Sequence, residues 1–532
     1  MSSSELARTL VATLLAQGVR HVVLAPGSRN APLALALATA DEAGQLDLVV
    51  RVDERSAGFV ALGIAKVTGT PVPVVTTSGT AVGNLLPAVM EARHAGVPLL
   101  VLSADRPTSM IDSGANQTTN QQRLFGDHAV ATLAMSSQSG GPADWRHAVR
   151  RAVALAAAGG PGGQPGPVQL NIALAAPLVD PVLMEPVEPE APLLVERAGA
   201  AGALSLEPSP RTVVLAGDGT RETGAAAVEA ARALGAPLLA EPSSHARHSS
   251  AAIGTYRLLL PRFAPRIERV VVFGRPTLSR PVTALLGRQD VELIMVGAGE
   301  WIDPGHAASR VVGAITCARP GDGDWLDDWR TADGALTAAV DAQDPPDNHR
   351  LGPREATLAI WSTLTSDDLV MLGSSNPIRD ADLAPISHEW PEVYANRGLS
   401  GIDGTLSTAV GLALGAGRPV TAIVGDLTAV HDLTGLASGD HEKRPDLRVV
   451  VLDDHGGSIF RSLEQGAETY ERHFSRVFGT PQDVDLELAA LGMRAAARSV
   501  HTADELREAL AGAPRGVEVV VVEIARSDRE LR

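Results

Sequence analysis

The chain has 532 residues, of which 45% are hydrophobic and 20% are charged, so it is long enough for several domains and has a globular composition. Its net charge of −17 disfavours nucleic-acid binding, and no apolar run of about 18 residues predicts a membrane span. A single cysteine, Cys317, excludes a disulfide framework, and we expect a cytoplasmic protein.

Residues 1–180 alternate strand and helix patterns in the manner of a doubly wound parallel sheet. A strand over 22–25 leads into a turn that contains Ser28 and Arg29, where a helix begins. Free N–H groups and a guanidinium at a helix start suit an anion, although Ser28 as a simple helix cap remains the alternative. The next strand ends at Glu54, at the start of a helix rich in alanine and glycine. Glu54 is either a functional carboxylate or a solvated charge that complements the helix dipole.

A polar loop follows the strand at 97–103. It begins near Arg106 and contains Asn116 and Gln117. Polar loops that leave buried strands often carry function. The alternatives are that Arg106 pairs with Asp105 and that the two amides are ordinary turn residues.

The pattern predicts a second α/β domain over 195–345 and a third over 350–532. In the second predicted domain, Arg280 follows a strand, and both surface charge and a contribution to a shared site remain open. In the third predicted domain, two strand-end turns carry arginines.

These turns hold Ser375 with Arg379, and Asn396 with Arg397. Two fixed arginines fit two carboxylates, or one carboxylate and a diphosphate. The alternative is that the arginines neutralise Asp380 and Asp403.

The segment 420–460 carries the clearest pattern in the third predicted domain. One apolar strand stops at Asp426, and the next stops at Asp454, which lies 28 positions later (454 − 426). That spacing places both carboxylates at the carboxyl ends of neighbouring strands. Oxygen ligands on adjacent loops suit Mg²⁺, with Gly456 able to supply backbone. Two turns rich in aspartate and glycine are the plainer interpretation.

The segment 421–460 resembles the metal–diphosphate motif of thiamine-diphosphate enzymes. It departs from that motif at Leu427, where a second glycine is usual, and at Asp454, where asparagine is usual. The segment around Glu54 resembles the pyrimidine-binding half of the same enzymes. The resemblance implies that Glu54 exchanges a proton with the aminopyrimidine ring, which is acid–base work.

Other motifs resemble the 2-succinyl-5-enolpyruvyl-6-hydroxy-3-cyclohexene-1-carboxylate synthase family of menaquinone biosynthesis. They lie at 25–33, 52–59, 103–107, 114–117 and 396–404. The resemblance implies decarboxylation of 2-oxoglutarate and 1,4-addition of the succinyl carbanion equivalent to isochorismate, with release of CO₂. It also implies thiamine diphosphate with Mg²⁺ or Mn²⁺, and a homo-oligomer with active sites at the dimer interface.

The resemblance also assigns roles by matched position. The metal ligands are Asp426, Asp454 and Gly456. The coenzyme is contacted by Glu54, Ser375, Ile402, Asp426, Asp454, Gly456 and Ile459. The substrates are contacted by Ser28, Arg29, Arg106, Asn116, Gln117, Arg280, Arg379, Arg397, Ile459 and Phe460, with Arg379 and Arg397 on the carboxylate that comes from 2-oxoglutarate.

The predicted architecture is therefore α/β, with three doubly wound parallel-sheet domains of the thiamine-diphosphate-enzyme type. They are a pyrimidine-binding domain at 1–180, a central domain at 195–345 and a diphosphate-binding domain at 350–532. Two alternatives remain. One is another carboligase or decarboxylase of the acetolactate synthase type, whose smaller substrate needs fewer arginines. The other is a non-catalytic homologue, which only Leu427 and Asp454 favour.

Overall fold

A computed structural model describes residues 2–159, 163–180, 186–188, 191, 203–207, 211–297, 302–318, 323–341 and 350–526. The chain divides into two compact units. The first unit comprises residues 1–197, 398–418 and 432–447. The second comprises residues 198–397, 419–431 and 448–532. Among the described residues, no helix is both long enough and apolar enough to cross a membrane.

The N-terminal part of the first unit is built on a six-stranded parallel sheet in the order β2-β1-β3-β4-β6-β5. The strands are β1 His21–Leu24, β2 Asp47–Val50, β3 Val72–Thr76, β4 Leu99–Asp105, β5 Ala131–Ser136 and β6 Val168–Ala173. The helices are α1 Ser3–Ala16, α2 Ala31–Glu42, α3 Glu54–Thr68, α4 Thr80–Gly83, α5 Leu86–Ala95 and α6 Pro142–Ala158. Strands β3 and β4 are buried throughout, as expected for a parallel sheet covered on both faces.

The central part of the chain forms a five-stranded sheet in the order β12-β11-β10-β8-β9 and a separate pair, β13-β7. The strands are β7 Leu204–Leu206, β8 Thr212–Ala216, β9 Leu238–Ala240, β10 Arg269–Phe273, β11 Glu292–Val296, β12 Arg310–Val312 and β13 Ile315–Cys317. The helices are α7 Arg221–Leu234, α8 Tyr256–Phe263, α9 Arg280–Leu286 and α10 Asp324–Asp341. A core of Val, Leu, Ile and aromatic side chains packs between them.

The C-terminal part forms a six-stranded sheet in the order β15-β14-β16-β17-β19-β18. The strands are β14 Leu369–Leu372, β15 Glu392–Ala395, β16 Val420–Gly425, β17 Leu447–Asp453, β18 Ala496–Val500 and β19 Val517–Glu523. The helices are α11 Pro353–Trp361, α12 Asn376–Ala381, α13 Thr405–Ala416, α14 Asp426–Asp432, α15 Glu471–Phe474, α16 Leu486–Gly492 and α17 Ala503–Leu510. The described residues therefore form three large parallel sheets with flanking helices, besides the β13-β7 pair, which confirms the predicted α/β fold class.

The two six-stranded sheets share one topology, because each has its second strand outside the first and its third strand on the other side. The strand order reverses between β1 and β3 in one sheet, and between β14 and β16 in the other. Ligands of doubly wound sheets bind outside the carboxyl ends of strands at such a switch point. Ser28 and Ser78 follow the first pair of strands, and Ser375 and Asp426 follow the second.

Helices α3 and α13 cross closely within the first unit. A β-carbon on Gly63 would lie 2.2 Å from the carbonyl oxygen of Thr408, and one on Gly411 would lie 2.1 Å from that of Val60. The alanine- and glycine-rich composition of α3 therefore serves a backbone-to-backbone contact. This contact fixes the helix that begins at Glu54.

Candidate active site

Two buried carboxylates meet at the carboxyl ends of β16 and β17, in the second unit. Asp426 is 7% exposed and Asp454 is 6% exposed. The backbone N–H of Gly456 donates to Oδ2 of Asp426 at 2.7 Å, which ties the two strand-end loops together. The sequence-predicted convergence of Asp426 and the loop of Asp454 is therefore present.

The negative charges of Asp426 and Asp454 favour binding of a cation between them. Burial raises the pKa of Asp426 to about 7, and the negative charges of Asp454 and Asp453 add to the rise. Backbone N–H donors from Leu427 and Gly456 lower it only in part. A divalent ion at this position would remove the repulsion and stabilise both carboxylates.

The loop at 454–458 is shaped for close approach. Gly456 has φ +122°, and a β-carbon there would lie 2.0 Å from the carbonyl oxygen of Gly479. Only glycine fits this backbone, so Gly456 leaves the space beside Asp454 free of side chain.

A short chain of hydrogen bonds joins a third loop to the other two. The amide of Asn376 donates to Oγ of Ser458 at 2.8 Å, and that hydroxyl donates to Oδ2 of Asp454. Strand β14 pairs with β16, so Ser375 and Asn376 follow a strand next to that of Asp426. Sequence reasoning missed Asn376 and Ser458, although both lie within one position of predicted residues.

These residues fit a hard divalent ion and a diphosphate. Two carboxylates with a backbone carbonyl are a donor set that Mg²⁺ accepts alongside phosphate oxygens. Within the described part of the chain, no cluster of three or more His, Cys, Asp or Glu side chains could hold a metal by itself. Two carboxylates and one carbonyl leave positions of an octahedral Mg²⁺ ion for phosphate oxygens or water.

Arg379 and Arg397 are held by carbonyl oxygens. Nη1 of Arg379 donates to the carbonyl of Ser375 at 2.8 Å. Arg397 is 3% exposed, and its Nη2 donates to the carbonyl of Thr277 at 3.2 Å and to Oγ1 of Thr277 at 2.9 Å. The buried Nε of Arg397 has no acceptor among the described residues. This N–H group needs an acceptor from a ligand or water.

The remaining predicted residues of the second unit are more open. Ile459 and Phe460 are half-buried in a short 3-10 turn directly after Ser458. Arg280 is exposed at the first turn of α9. Nothing in its described contacts brings Arg280 to the residues around Asp426.

Glu54 is the first residue of α3 in the first unit and is half-buried. Asp53 caps the helix, because its side chain accepts from the N–H groups of Arg55 and Ser56 at 2.9 and 3.4 Å. The amide of Asn84 donates to Oε2 of Glu54 at 3.2 Å. Because Asp53 caps the helix, the carboxylate of Glu54 is not needed for capping.

Ile402 is half-buried in the turn that leads into α13, in the same unit. Its carbonyl accepts from the hydroxyl of Thr405 at 3.1 Å. The turn begins at Gly398 and Leu399, whose N–H groups both donate to the carboxylate of Glu91 at 2.8 Å. Glu91 is buried on α5, so this turn is anchored to the helix rather than left to solvent.

A polar cluster lies at the carboxyl ends of β3 and β4. The guanidinium of Arg106 donates to Oγ of Ser78 and, at 2.8 Å, to the carbonyl of Gln117. The side-chain amide of Gln117 donates to the carbonyl of Ser78 at 2.8 Å. Asp105 accepts the backbone N–H of Arg106 at 2.7 Å, and among the described contacts no ion pair joins its side chain to that of Arg106. The structure thus brings Arg106 and Gln117 together.

Arg29 belongs to the same region. Its Nη1 donates to the carbonyl of Leu174 at 2.8 Å. Burial lowers the pKa of Arg29, the like charge of Arg106 lowers it further, and the charge of Asp105 opposes this in part. Ser28 and Asn116 are exposed beside them in the sequence, with no described contact that joins them to this pair.

Sequence reasoning missed the support beneath this cluster. Gln121 is fully buried and accepts from the N–H of Gly79 at 3.0 Å, while its amide donates to Asn171 at 2.9 Å. Asn171 in turn donates to Asp105 at 2.8 Å. Polar residues in otherwise apolar strands, such as Asn171 in β6, were the available signal.

Two family models match the N-terminal and C-terminal parts of this chain. The N-terminal TPP binding domain of thiamine pyrophosphate enzymes matches residues 4–124, and the C-terminal TPP binding domain of these enzymes matches residues 384–524. The crystal structure of benzoylformate decarboxylase from Polynucleobacter necessarius covers 100% of both chains with a TM-score of 0.68. At 18% identity, that likeness shows a shared fold.

Full-length relatives are much more similar in sequence. Those named 2-succinyl-5-enolpyruvyl-6-hydroxy-3-cyclohexene-1-carboxylate synthase include one from Arthrobacter sp. (strain FB24), which is 46% identical over 99% of this chain and 90% of its own length. The one from Kineococcus radiotolerans is 46% identical over 98% of this chain and 96% of its own. The one from Saccharopolyspora erythraea is 44% identical over 100% and 97%.

Proposed function

Because this chain belongs to the 2-succinyl-5-enolpyruvyl-6-hydroxy-3-cyclohexene-1-carboxylate synthase family of thiamine-diphosphate enzymes, we propose that it performs that family's reaction in menaquinone biosynthesis. It decarboxylates 2-oxoglutarate and adds the remaining succinyl unit to isochorismate, with CO₂ as the second product. The site residues have the following roles in this proposal.

One observation carries the proposal for the site. Asp426 and Asp454 are both buried, and their mutual repulsion helps to raise the pKa of Asp426 to about 7. A folded protein keeps such a pair where a cation offsets the repulsion. We assign Asp426, Asp454 and the carbonyl of Gly456 to Mg²⁺ or Mn²⁺, with Ser375 on the diphosphate. Asp454 adds one negative charge relative to the usual asparagine, which strengthens attraction for the ion.

Thiamine diphosphate, when bound, supplies a nucleophilic thiazolium carbon and an electron sink for decarboxylation. We assign Glu54 to the proton exchange with the aminopyrimidine ring, since the cap of α3 is provided by Asp53. Ile402 and Ile459 provide apolar surface for the coenzyme. Phe460 and Ile459 line the acceptor pocket and exclude water from it.

Arginines select the substrates, which are both dicarboxylates in a chain of net charge −17. We assign Arg379 and Arg397 to the carboxylate of 2-oxoglutarate that survives in the product. The buried Nε of Arg397, which has no acceptor in the described part of the chain, supports this role.

The isochorismate site draws on the polar cluster in the first unit. We assign Ser28, Arg29, Arg106, Asn116 and Gln117 to isochorismate. Arg106 and Gln117 share a partner, because each contacts Ser78. We also assign Arg280, which is exposed on α9, to the substrates.

Product analysis tests the reaction directly. Purified protein with thiamine diphosphate and Mg²⁺ is given 2-oxoglutarate and isochorismate, and the product mass is measured. The expected mass equals the sum of the substrates less CO₂. CO₂ release from pyruvate that matches release from 2-oxoglutarate would contradict the substrate assignment and favour the acetolactate synthase type.

We also propose a homo-oligomer in which Glu54 of one subunit serves the coenzyme bound through Asp426 of its partner. Glu54→Gln and Asp426→Ala are each expected to be inactive alone. Refolding an equal mixture restores about a quarter of the wild-type activity, because half of the dimers are mixed and each carries one intact site. Absence of any recovery, with mixed dimers demonstrated by differential tags, would place both residues in one chain's site.

A further inference from the structure

A buried carboxylate lies behind the turn that holds Arg397, in the second unit. Glu241 follows β9 directly and is 1% exposed. Its Oε1 accepts the backbone N–H of Leu278 at 2.8 Å. Such a side chain is costly to bury unless its charge is offset, so its retention needs an explanation.

Glu241 is linked to Arg397 through one turn. Leu278 follows Thr277, and both oxygens of Thr277 accept from Nη2 of Arg397, at 2.9 and 3.2 Å. Among the described residues, no hydrogen bond or ion pair joins Glu241 directly to Arg397. The carboxylate of Glu241 therefore holds the turn that contains Thr277, which is the hydrogen-bond partner of Arg397. Burial raises the pKa of Glu241 and the positive charge of Arg397 lowers it in part, but in the described contacts Glu241 accepts no hydrogen bond from Arg397.

The charges around Glu241 come from several elements. Burial raises the pKa of Glu241 to about 8, while Arg397 lowers it and Asp382 and Asp218 raise it. Asp382 lies 3.5 Å from Arg247 and 3.6 Å from Arg257, and accepts the hydroxyl of Tyr256 at 2.9 Å. Asp382 thus has its own cations, and Arg397 is the nearby cation that acts on Glu241.

We propose that Glu241 is a positioning residue that orients Arg397 through the Thr277–Leu278 turn and, when ionised, weakens the hold of Arg397 on the substrate carboxylate. Protonated Glu241 leaves the full positive charge of Arg397 to the ligand. Ionised Glu241 offsets part of that charge. Binding of a dicarboxylate and protonation of Glu241 therefore favour each other.

The sign of the pH effect follows from this linkage. The affinity for 2-oxoglutarate is highest below the pKa of about 8 and falls as the pH rises through it. Adding one unit charge near a binding site in a partly hydrated interior changes the binding constant of an ionic ligand by about tenfold. The carboxylates of 2-oxoglutarate remain ionised throughout, so they do not produce the change.

The test uses holoenzyme with thiamine diphosphate and Mg²⁺. The KM for 2-oxoglutarate and the inhibition constant of glutarate, a dicarboxylate that cannot be decarboxylated, are measured from about pH 6.5 to 9.5. Both constants are expected to rise about tenfold in the wild type. In Glu241→Gln, which keeps the acceptor for Leu278 but has no charge, both are expected to stay low and flat.

Controls separate this proposal from the proposed function, on which the role of Arg397 rests. Glu268→Gln removes an exposed carboxylate of the same unit and is expected to keep the wild-type pH profile. If Arg397→Gln leaves the KM for 2-oxoglutarate unchanged, the assigned role of Arg397 fails. If Arg397→Gln raises KM while Glu241→Gln keeps the wild-type slope, only the role of Glu241 fails.

If the Glu241→Gln variant does not fold, a measurement on the wild type alone still tests the proposal. Glutarate binding is followed by calorimetry near pH 8 in two buffers of different ionisation enthalpy. Proton uptake on binding supports the proposal, and binding without proton uptake overturns it.

Discussion

Replacing Gly63 by alanine is expected to push helices α3 and α13 apart. A β-carbon at Gly63 would lie 2.2 Å from the carbonyl oxygen of Thr408 and 2.9 Å from the amide nitrogen of Leu412. Both atoms belong to the backbone of α13, so no side-chain rotation relieves the overlap. Since an ordinary contact of this kind needs about 3.4 Å, the helices must separate by roughly 1 Å.

The expected loss is about 2 kcal/mol in the free energy of unfolding. Overpacking of a dense core costs about 1–3 kcal/mol, and a collision between two backbones lies at the upper end of that range. The higher helix propensity of alanine returns about 1 kcal/mol. For a unit of this size, the net loss lowers Tm by about 4–8 °C.

Turnover should fall as well, because α3 begins at Glu54 and its crossing with α13 fixes that end of the helix. Gly334→Ala in α10 is the matched control, as an added β-carbon there meets no atom of the described residues within 4 Å. Its stability is expected to rise by about 0.5–1 kcal/mol with turnover unchanged.

Thermal melts and steady-state rates of both variants, with saturating coenzyme and Mg²⁺, decide the matter. Equal Tm and kcat for Gly63→Ala and Gly334→Ala would refute the reasoning. The close crossing of α3 and α13 would then contribute neither to the stability of the unit nor to the position of Glu54. A lower Tm with unchanged kcat would limit the crossing to a structural role.

Asp454→Asn is expected to raise the Tm of the apoprotein at about pH 8, where Asp426 is ionised and the repulsion is fully present, and to weaken Mg²⁺ binding about tenfold. Melts with EDTA and with graded Mg²⁺ measure both effects, and a lower apoprotein Tm would contradict the repulsion. Glu54→Gln should bind coenzyme, seen as a thermal shift, yet lose turnover; full turnover would remove Glu54 from its role. Ser78→Ala removes an acceptor of Arg106 and should raise the KM for isochorismate about tenfold with little change for 2-oxoglutarate, and the reverse pattern in steady-state assays would exchange the two substrate sites.

The sequence pattern predicted features that depend on strand ends. Asp426 and the loop of Asp454 meet because neighbouring parallel strands end at the same edge, which spacing alone indicates. The composition of α3 predicted a close neighbour but could not identify α13, which lies more than 340 positions later. Strand β5 was not predicted, because its residues are mostly half-exposed and lack a continuous apolar run.

Long-range polar partners were beyond the reach of pattern reasoning. Ser78 and Gln117 are 39 positions apart, and Thr277 and Arg397 are 120 apart. Such pairs are set by how loops cross, and no local periodicity records that. The roles assigned to individual site residues and the domain boundaries at 180, 195, 345 and 350 remain predictions.

The way each arginine is held separates two kinds of site in this chain. Arg29, Arg106, Arg379 and Arg397 each donate to a carbonyl oxygen, and a contact of that kind fixes the guanidinium without itself neutralising it. Arg448 also donates to carbonyl oxygens, those of Leu510 and Gly512, but it pairs in addition with the carboxylate of Glu518 at 3.0 Å. An acidic protein that binds dicarboxylates needs the first arrangement, because a guanidinium already neutralised by a carboxylate has little attraction left for a substrate. All four arginines chosen from strand-end turns are held in this way, and this shared arrangement supports their assignment as the anion-binding set.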